Sequence, residues 1–236
     1  MSYGFPFELD DFQKEAVNYI DEGKSVVVCA PTGAGKTVIA EHAVHKALEN
    51  GTRVFYTTPL KALSNQKFND FGTKYGYDKV GLLTGDTSIN REGQIVVMTT
   101  EVFRNMLYGT NFGEVADNLK NVKYVVLDEV HYMNDEERGT VWEESIIYCP
   151  VNIQIIALSA TVQNAQELTD WINTVHSETK LVNTDFRPVP LRFYYFDSSQ
   201  PNRILPLLSP VGGLNKKIQP EKRQYGRKKT PQRNVA

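Results

Sequence analysis

Short apolar runs alternate with amphipathic segments along most of this chain. The runs are rich in β-branched residues, as is typical of buried strands. They occupy residues 25–30, 53–57, 80–83, 95–99, 123–128, 153–158 and 191–196. Between them, apolar residues recur at helical spacing over 11–20, 36–49, 61–74, 102–108, 141–148 and 165–175. The alternation predicts an α/β domain built on a mostly parallel, doubly wound sheet with helices on both faces.

The last of these helices has a recognisable start. Asn164 is a favoured cap residue and Glu167 follows three positions later, which is the pattern of a capping box. Leu168, Ile172 and Val175 then fall on one face. The pattern predicts a helix that begins at residue 165 and packs that face against the sheet.

Composition and charge divide the chain into a globular part and a tail. The chain has 236 residues, of which 41% are hydrophobic, so it can bury a sizeable core. Residues 215–236 carry a net charge of +7, whereas the residues before them carry −9. Since the basic segment has almost no apolar residues, we expect a disordered tail. We predict a globular domain over residues 1–197 and a linker with the basic tail over 198–236.

The basic tail has two interpretations. Its charge comes from eight lysines and arginines against the single acid Glu221. Basic runs attract polyanions by releasing counterions, so the tail could contact nucleic-acid phosphates without sequence preference. The alternative is a solvated segment with no specific role.

Membrane and export signals are both missing from the sequence. No apolar run approaches the roughly eighteen residues of a membrane span, and the first residues lack a basic-then-apolar signal. A cytoplasmic protein with no membrane partner is therefore expected.

Cys29 and Cys149 have neither disulfide nor zinc spacing and are predicted to be small buried residues.

The segment with the most specific chemistry follows the first predicted strand. It reads Ala30-Pro31-Thr32-Gly33-Ala34-Gly35-Lys36-Thr37, which fits a phosphate-binding loop except that alanine replaces the first glycine. Backbone N–H groups of such a loop face phosphate oxygens, while the lysine neutralises charge and the threonine holds Mg²⁺. The residues from Thr32 to Thr37 are thus the predicted nucleoside triphosphate site. An ordinary strand-to-helix turn is the alternative.

A second acidic segment follows a later strand. Asp128 and Glu129 come directly after the apolar run that ends at Leu127. Because the carboxyl ends of parallel strands line one crevice, we expect this pair to lie near Lys36 and Thr37. Asp128 suits a Mg²⁺ ligand, and Glu129 suits a general base that orients the attacking water. The alternative is an acidic pair that caps a helix or faces solvent.

Hydroxyl-bearing residues follow four of the predicted strands. Taken singly, each cluster is more simply explained as a helix cap. Together with the nucleotide loop, they are similar to a track for a nucleic-acid backbone. The clusters are Thr57-Thr58-Pro59-Leu60-Lys61, Thr84-Gly85-Asp86, Thr99-Thr100-Glu101 and Ser159-Ala160-Thr161.

Three of these segments, in their order and spacing, resemble motifs I, II and III of superfamily two helicases. They are the loop at 30–37, Asp128-Glu129-Val130-His131 and Ser159-Ala160-Thr161. His131 in the fourth position marks the DExH type. The stretch from His131 to Gly139, followed by Val141-Trp142-Glu143-Glu144, is similar to the superkiller-type RNA helicases, which include exosome cofactors. The resemblance runs from about residue 5 to about residue 190 and implies a single RecA-like domain.

The resemblance implies further roles. It makes ATP the nucleotide, with Phe7 stacking on the adenine and Gln13 reading its edge, although Gln13 by spacing alone could be a surface helix residue. It makes His131, Ser159 and Thr161 the residues that couple hydrolysis to strand movement. The positions that would grip one RNA strand are Pro59, Lys61, Thr84, Gly85, Thr99, Thr100 and Glu101.

The resemblance stops short of a complete helicase. Motifs IV to VI, including the arginines that stabilise the transferring phosphate, belong to a second RecA-like domain that these 236 residues lack. The segment Arg187-Pro188-Val189-Pro190-Leu191 resembles the strand that leads into it. Because an arginine finger contributes about 10³ to 10⁵ in rate, slow ATP turnover is expected from this chain alone. It is either a fragment of a longer helicase or a standalone remnant.

The resulting hypothesis is the ATP-binding first motor domain of a DExH-box RNA helicase. Its cofactors would be ATP and Mg²⁺, and its partners RNA and a second RecA-like domain in cis or trans. The alternatives are a DNA helicase domain of the related repair branch and a non-catalytic nucleic-acid-binding remnant. A kinase or transporter ATPase is disfavoured by the second and third motifs.

Overall fold

The computed structural model describes residues 5–109, 117–135, 139–196, 203–210 and 212–218. Over these residues the chain divides into two compact units, one ending at Pro188 and the other beginning at Val189. The predicted boundary after residue 197 stays a prediction. The predicted basic tail lies outside the described residues from position 219 onward.

The described part of the first unit contains a single sheet. In the described part of this unit it has eight strands in the order β4-β3-β5-β2-β6-β7-β1-β8, all parallel except β4, which pairs antiparallel with β3. The strands are β1 (Ser25–Cys29), β2 (Arg53–Thr58), β3 (Val80–Leu83), β4 (Ser88–Ile89), β5 (Ile95–Thr99), β6 (Val122–Leu127), β7 (Gln154–Ser159) and β8 (Thr179–Asn183). The central strands are buried along their length because helices cover both faces.

Helices lie on both faces of the sheet, as the sequence predicted. They are α1 (Asp11–Asp21), α2 (Thr37–Glu49), α3 (Lys61–Tyr75), α4 (Thr100–Tyr108), α5 (Gly139–Ile147) and α6 (Ala165–Val175), with a 3₁₀ helix at Val130–Asn134. The first three pack on one face through side chains such as Ile39 and Phe71. The other three pack on the opposite face around Phe103, Trp142 and Ile172. This arrangement confirms the predicted doubly wound α/β domain.

Three local predictions differ from the structure. Strand β8 is absent from the predicted set because it has only two apolar residues, Leu181 and Val182, and lies at the sheet edge. The predicted strand at 191–196 is extended only over β9 (Tyr194–Phe196), which belongs to the second unit. At α6 the Asn164 side chain makes no capping hydrogen bond, and the backbone carbonyl of Asn164 instead accepts from Leu168 N–H at 3.1 Å.

The described part of the second unit is a small hairpin. Strand β9 pairs antiparallel with β10 (Ile204–Pro206), and a short bridge joins Leu208 to Leu214. Its large apolar side chains, including Phe193 and Ile204, are mostly exposed.

Two predictions from composition can be compared with the structure. Cys29 and Cys149 are both buried free cysteines, as predicted. None of the helices that the structure describes is long and apolar enough to span a membrane.

Candidate active site

The order of the strands brings the phosphate-loop segment and the acidic segment to one side of the sheet. Strands β6, β7 and β1 are adjacent, so the residues that follow them meet at their carboxyl ends. Burial lowers the pKa of Lys36, and the carboxylates of Glu129 and Asp128 oppose that shift. These carboxylates therefore lie within electrostatic reach of Lys36. We call the segments that follow β1, β6 and β7 the nucleotide edge.

The loop after β1 has the backbone of a phosphate cradle. Gly33 and Gly35 have φ values of +84° and +89°, which glycine adopts at little cost. Lys36 Nζ donates to the carbonyls of Ala30 at 2.8 Å and Pro31 at 3.3 Å, which closes the loop on itself. Ala30 has no positive φ, so the backbone tolerates alanine where the template has glycine. Helix α2 begins directly afterwards, with its first N–H groups at the mouth of the loop.

Asp128 is held in place by a buried tyrosine. Tyr56 donates from its hydroxyl to Asp128 Oδ2 at 2.6 Å, and the Glu129 N–H donates to Oδ1 at 3.0 Å. Burial, followed by the charge of Asp128, raises the pKa of Tyr56 well above its usual value, so the phenol remains a donor. Sequence reasoning missed Tyr56, because its role depends on β2 and β6 being neighbours.

Glu129 and His131 connect the second motif to the third. Glu129 adopts a left-handed backbone with φ 56°, which is uncommon for a residue with a side chain. Its Oε2 lies 3.3 Å from His131 Nδ1, and the Ala160 N–H donates to the same nitrogen at 3.4 Å. A ring with its proton on Nε2 fits the Ala160 contact, whereas a proton on Nδ1 fits the Glu129 contact. His131 thus lies between the ends of β6 and β7.

The two residues beside Ala160 that are predicted to couple hydrolysis to strand movement differ in exposure. Ser159 is buried at the end of β7, and Thr161 is exposed. The structure therefore brings His131 next to the third motif. In the sequence, only the family resemblance linked His131 to that motif.

Gln13 is buried against the phosphate loop. Its Nε2 donates to the Gly35 carbonyl at 3.1 Å, and its Oε1 accepts from the Asp10 N–H at 2.9 Å. Only 4% of Gln13 is exposed, which excludes the surface-residue interpretation. Phe7, by contrast, is 53% exposed, and its ring lies 5.5 Å from that of Phe5. Adenine recognition by Phe7 and Gln13 stays a prediction.

Two basic side chains that the sequence did not assign to the phosphate loop make contact with it. Lys67 of α3 places Nζ 3.5 Å from Thr37 Oγ1 and 5.5 Å from the centroid of the Tyr56 ring. Arg187 donates from Nη1 to the Thr32 carbonyl at 3.0 Å. Arg187 was predicted only as part of the strand that leads into a second RecA-like domain, and none of the predicted motifs includes Lys67.

The predicted nucleic-acid contacts follow β2, β3 and β5, which are adjacent in the sheet. We call this region the nucleic-acid edge. Lys61 and Gly85 are exposed, and Glu101 is half-buried. The other predicted contacts are buried by residue exposure: Pro59, Thr84, Thr99 and Thr100. The structure thus brings all seven residues to one edge, but presents only part of the set to solvent.

A buried hydrogen-bond network supports this edge. Thr100 donates from Oγ1 to the Thr58 carbonyl at 3.2 Å. The hydroxyls of Thr58 and Ser64 lie 2.7 Å apart, beneath the first turn of α3. These contacts fix the turn from which Lys61 projects. The Thr100 hydroxyl is therefore used inside the fold.

The sequence and this geometry match a known family. Residues 10–168 match the DEAD/DEAH box helicase family, which covers more than half of the chain. The chain belongs to the DEAD/DEAH box helicase family. Membership implies nucleotide binding, and helicase relatives bind nucleic acid. Membership also confirms the predicted resemblance to a helicase domain.

Among its relatives are RNA helicases of the DExH type. The chain is 51% identical over 216 residues to the DExH-box ATP-dependent RNA helicase DExH15, chloroplastic, of Arabidopsis thaliana, matching 91% of this chain and 18% of that protein. It is 50% identical over 188 residues to the antiviral helicase SKI2 of Saccharomyces cerevisiae, matching 79% of this chain and 14% of that protein. These matches confirm the predicted superkiller-type resemblance. The chain spans less than a fifth of the length of these two relatives.

A solved helicase structure has the same fold. The crystal structure of the helicase MrfA bound to DNA superposes with a TM-score of 0.60 at 26% identity, over 75% of this chain and 27% of that one. This likeness confirms the predicted RecA-like fold.

Proposed function

We propose that this helicase-family chain is the first motor domain of a DExH-box RNA helicase. It would couple ATP hydrolysis to movement along RNA when paired, in cis or in trans, with a second RecA-like domain. The observation that carries the proposal is the nucleotide edge, where the loop that ends at Lys36 and the pair Asp128 and Glu129 follow parallel strands of one sheet at their carboxyl ends. A phosphate cradle and a general base on one edge are what nucleotide hydrolysis requires.

The loop residues would bind the ATP phosphates. Backbone N–H groups from Thr32 to Thr37 and in the first turn of α2 would donate to phosphate oxygens. Lys36 would exchange its contacts to the Ala30 and Pro31 carbonyls for the phosphates, which are stronger partners for an ammonium. Gln13 and Phe7 would contact the adenine.

The residues beside the loop fit Mg²⁺. Thr37 offers a hydroxyl oxygen and Asp128 a carboxylate, which are the hard ligands that Mg²⁺ prefers. Asp128 accepts two hydrogen bonds and keeps further lone pairs. Across the described ranges, no cluster of three or more His, Cys, Asp and Glu side chains could hold a metal. Mg²⁺ would therefore be shared with the nucleotide, and when bound it would neutralise phosphate charge.

Glu129 would act as the general base. It would orient a water against the γ-phosphorus and accept its proton as the water oxygen bonds to phosphorus and ADP leaves. Tyr56 would keep Asp128 oriented during this step. The second domain would supply the arginines that stabilise the charge on the transferring phosphoryl group.

The nucleic-acid edge would hold the RNA backbone. Lys61 and Thr84 offer an ammonium and a hydroxyl to phosphates, and Gly85 allows close approach to the backbone. His131, beside the third motif, would couple hydrolysis to strand movement with Ser159 and Thr161.

RNA-stimulated ATP turnover by the 236-residue chain tests this function. We expect slow turnover that rises with RNA, and a fall of about 10²- to 10⁴-fold in Glu129→Gln, the size of a general-base contribution. Glu49→Gln, at the exposed end of α2, is the matched control and should leave turnover unchanged. RNA-stimulated turnover that survives Glu129→Gln would contradict the assigned base.

A DNA helicase domain is the second candidate, because MrfA was solved bound to DNA. Competition between single strands of RNA and DNA with matched sequence and length separates the two. Equal affinity for both would remove the RNA preference. A non-catalytic remnant would bind RNA without turning over ATP in any condition.

A further inference from the structure

Asp86 is joined to two neighbouring donors at the nucleic-acid edge. Lys61 Nζ is in hydrogen-bond contact with Asp86 Oδ2. Thr84 donates from Oγ1 to Asp86 Oδ1 at 2.9 Å. Both oxygens of one carboxylate are therefore engaged, by an ammonium and by a hydroxyl. The proposed function assigns these same two side chains to the RNA backbone.

A backbone phosphate would need the donors that Asp86 already uses. A phosphodiester offers anionic oxygens that accept from lysine and threonine, as the carboxylate does. The Thr84 hydroxyl has one hydrogen, and it is donated to Asp86. A phosphate could accept it only after Asp86 releases it. The negative charge of the carboxylate also opposes the approach of a phosphate.

The contact can be exchanged without rebuilding the fold. The side chains of Lys61 and Asp86 are 50% and 64% exposed, whereas Thr84 is only 9% exposed, so Lys61 is the more accessible of the two donors. The turn that carries Asp86 has its own backbone hydrogen bonds between Thr84 and Thr87, at 2.9 and 3.4 Å. Hydrogen bonds from Lys61 and Thr84 lower the pKa of Asp86, so it is ionised at neutral pH.

We propose that Asp86 competes with the RNA backbone for Lys61 and Thr84 and thereby lowers the affinity of the nucleic-acid edge for RNA. The inference rests on the proposed function, since it requires RNA to bind this edge. A strand gains these two contacts only where it presents a phosphate in place of the carboxylate.

Equilibrium binding of a labelled single-stranded oligouridylate to the 236-residue chain tests this competition. Asp86→Asn removes the charge but keeps an oxygen that can accept from Thr84, whereas Asp86→Ala frees both donors. We expect the alanine variant to tighten binding about two- to fivefold, the range of exposed ion pairs, and the asparagine variant by less. The gain should shrink as salt is raised. Circular dichroism checks that each variant is folded.

Two controls separate competition from bulk charge. Asp70→Asn removes one negative charge from an exposed position further along α3 and should change affinity less than Asp86→Ala. In a Lys61→Ala background, Asp86→Ala should gain less than in the wild type, because one contested donor is gone.

The outcomes are distinct. Tighter binding by Asp86→Ala that depends on Lys61 supports the inference. Weaker binding would mean that Asp86 orients the donors, and a gain equal to that of Asp70→Asn would mean bulk charge only; either result overturns the inference. Absence of RNA binding by the wild-type chain would instead overturn the proposed function.

Discussion

The nucleotide edge and the nucleic-acid edge lie at the same end of one sheet, yet each holds its aspartate differently. At the nucleotide edge, Asp128 accepts from Tyr56, a fully buried phenol in the core. At the nucleic-acid edge, Asp86 accepts from Lys61 and Thr84, and the Lys61–Asp86 pair is largely exposed. Buried contacts fix a side chain, whereas exposed ion pairs exchange readily. The difference suits the proposed roles, in which the nucleotide site holds its chemistry preorganised and the nucleic-acid edge releases and regains RNA.

Lys36→Ala gives the largest expected effect and tests whether the nucleotide edge and the nucleic-acid edge bind their ligands independently. The variant loses a charge-assisted contact to the phosphates, so ATP·Mg²⁺ affinity should fall about 10²-fold or more. Oligouridylate affinity in the absence of nucleotide should stay within about twofold, since both hydrogen bonds of Lys36 run to carbonyls of its own loop and not to the nucleic-acid edge. Titration with a fluorescent ATP analogue and with labelled RNA measures both.

Lys123→Ala is the matched control for this prediction. Lys123 is an exposed lysine at the other end of β6, far from the loop along the strand. Loss of nucleotide affinity in both lysine variants would point to general charge, and a large loss of RNA affinity in Lys36→Ala would break the distinction between the edges.

Tyr56→Phe should give the next largest effect. The variant removes the buried hydroxyl that donates to Asp128 Oδ2. The free energy of unfolding should fall by about 1.5–3 kcal/mol, the usual range for a hydrogen bond to a charged group. Affinity for Mg²⁺ in the presence of ATP should fall about 10-fold, because a hydrogen bond to a metal-binding carboxylate orients that carboxylate toward the metal. Urea denaturation and Mg²⁺ titration measure these effects.

Tyr124→Phe is the control for the loss of a hydroxyl. Tyr124 is buried in β6, and its hydroxyl has no hydrogen bond within the described residues. It should cost less than about 0.5 kcal/mol. Equal losses in the two variants would show that the Asp128 contact contributes little.

The sequence predicted those features that are encoded locally. The glycines of the loop, the strand before it and the acidic pair after β6 are each short continuous patterns, so their placement at strand ends followed directly. Tyr56 and Lys67 could not be found in this way, because their contacts depend on which strands and helices are neighbours. Strand β8 was missed because an edge strand needs few apolar residues. The RNA contact of Thr100 stays a prediction, and no pattern in the sequence indicated that its hydroxyl donates to the Thr58 carbonyl.

Thr100→Val gives the smallest expected effect and tests whether the nucleic-acid edge also depends on buried contacts. The Thr100 hydroxyl donates to the Thr58 carbonyl in a fully buried place beneath the nucleic-acid edge. Valine has nearly the same shape but no donor, so unfolding free energy should fall by about 1 kcal/mol. RNA affinity should fall only slightly if the hydroxyl supports the edge from within.

Thr174→Val is the control, since that exposed hydroxyl donates to a carbonyl of its own helix and its loss should change stability by less than about 0.5 kcal/mol. Urea denaturation and RNA titration of both variants decide the role of Thr100. A large loss of RNA affinity at unchanged stability would mean that Thr100 contacts the strand directly. A loss of stability with RNA affinity nearly intact would mean that Thr100 supports the nucleic-acid edge from within the core. The exposed contacts of that edge would then rest on buried contacts, as those of the nucleotide edge do, and the two edges would differ only in their outermost side chains.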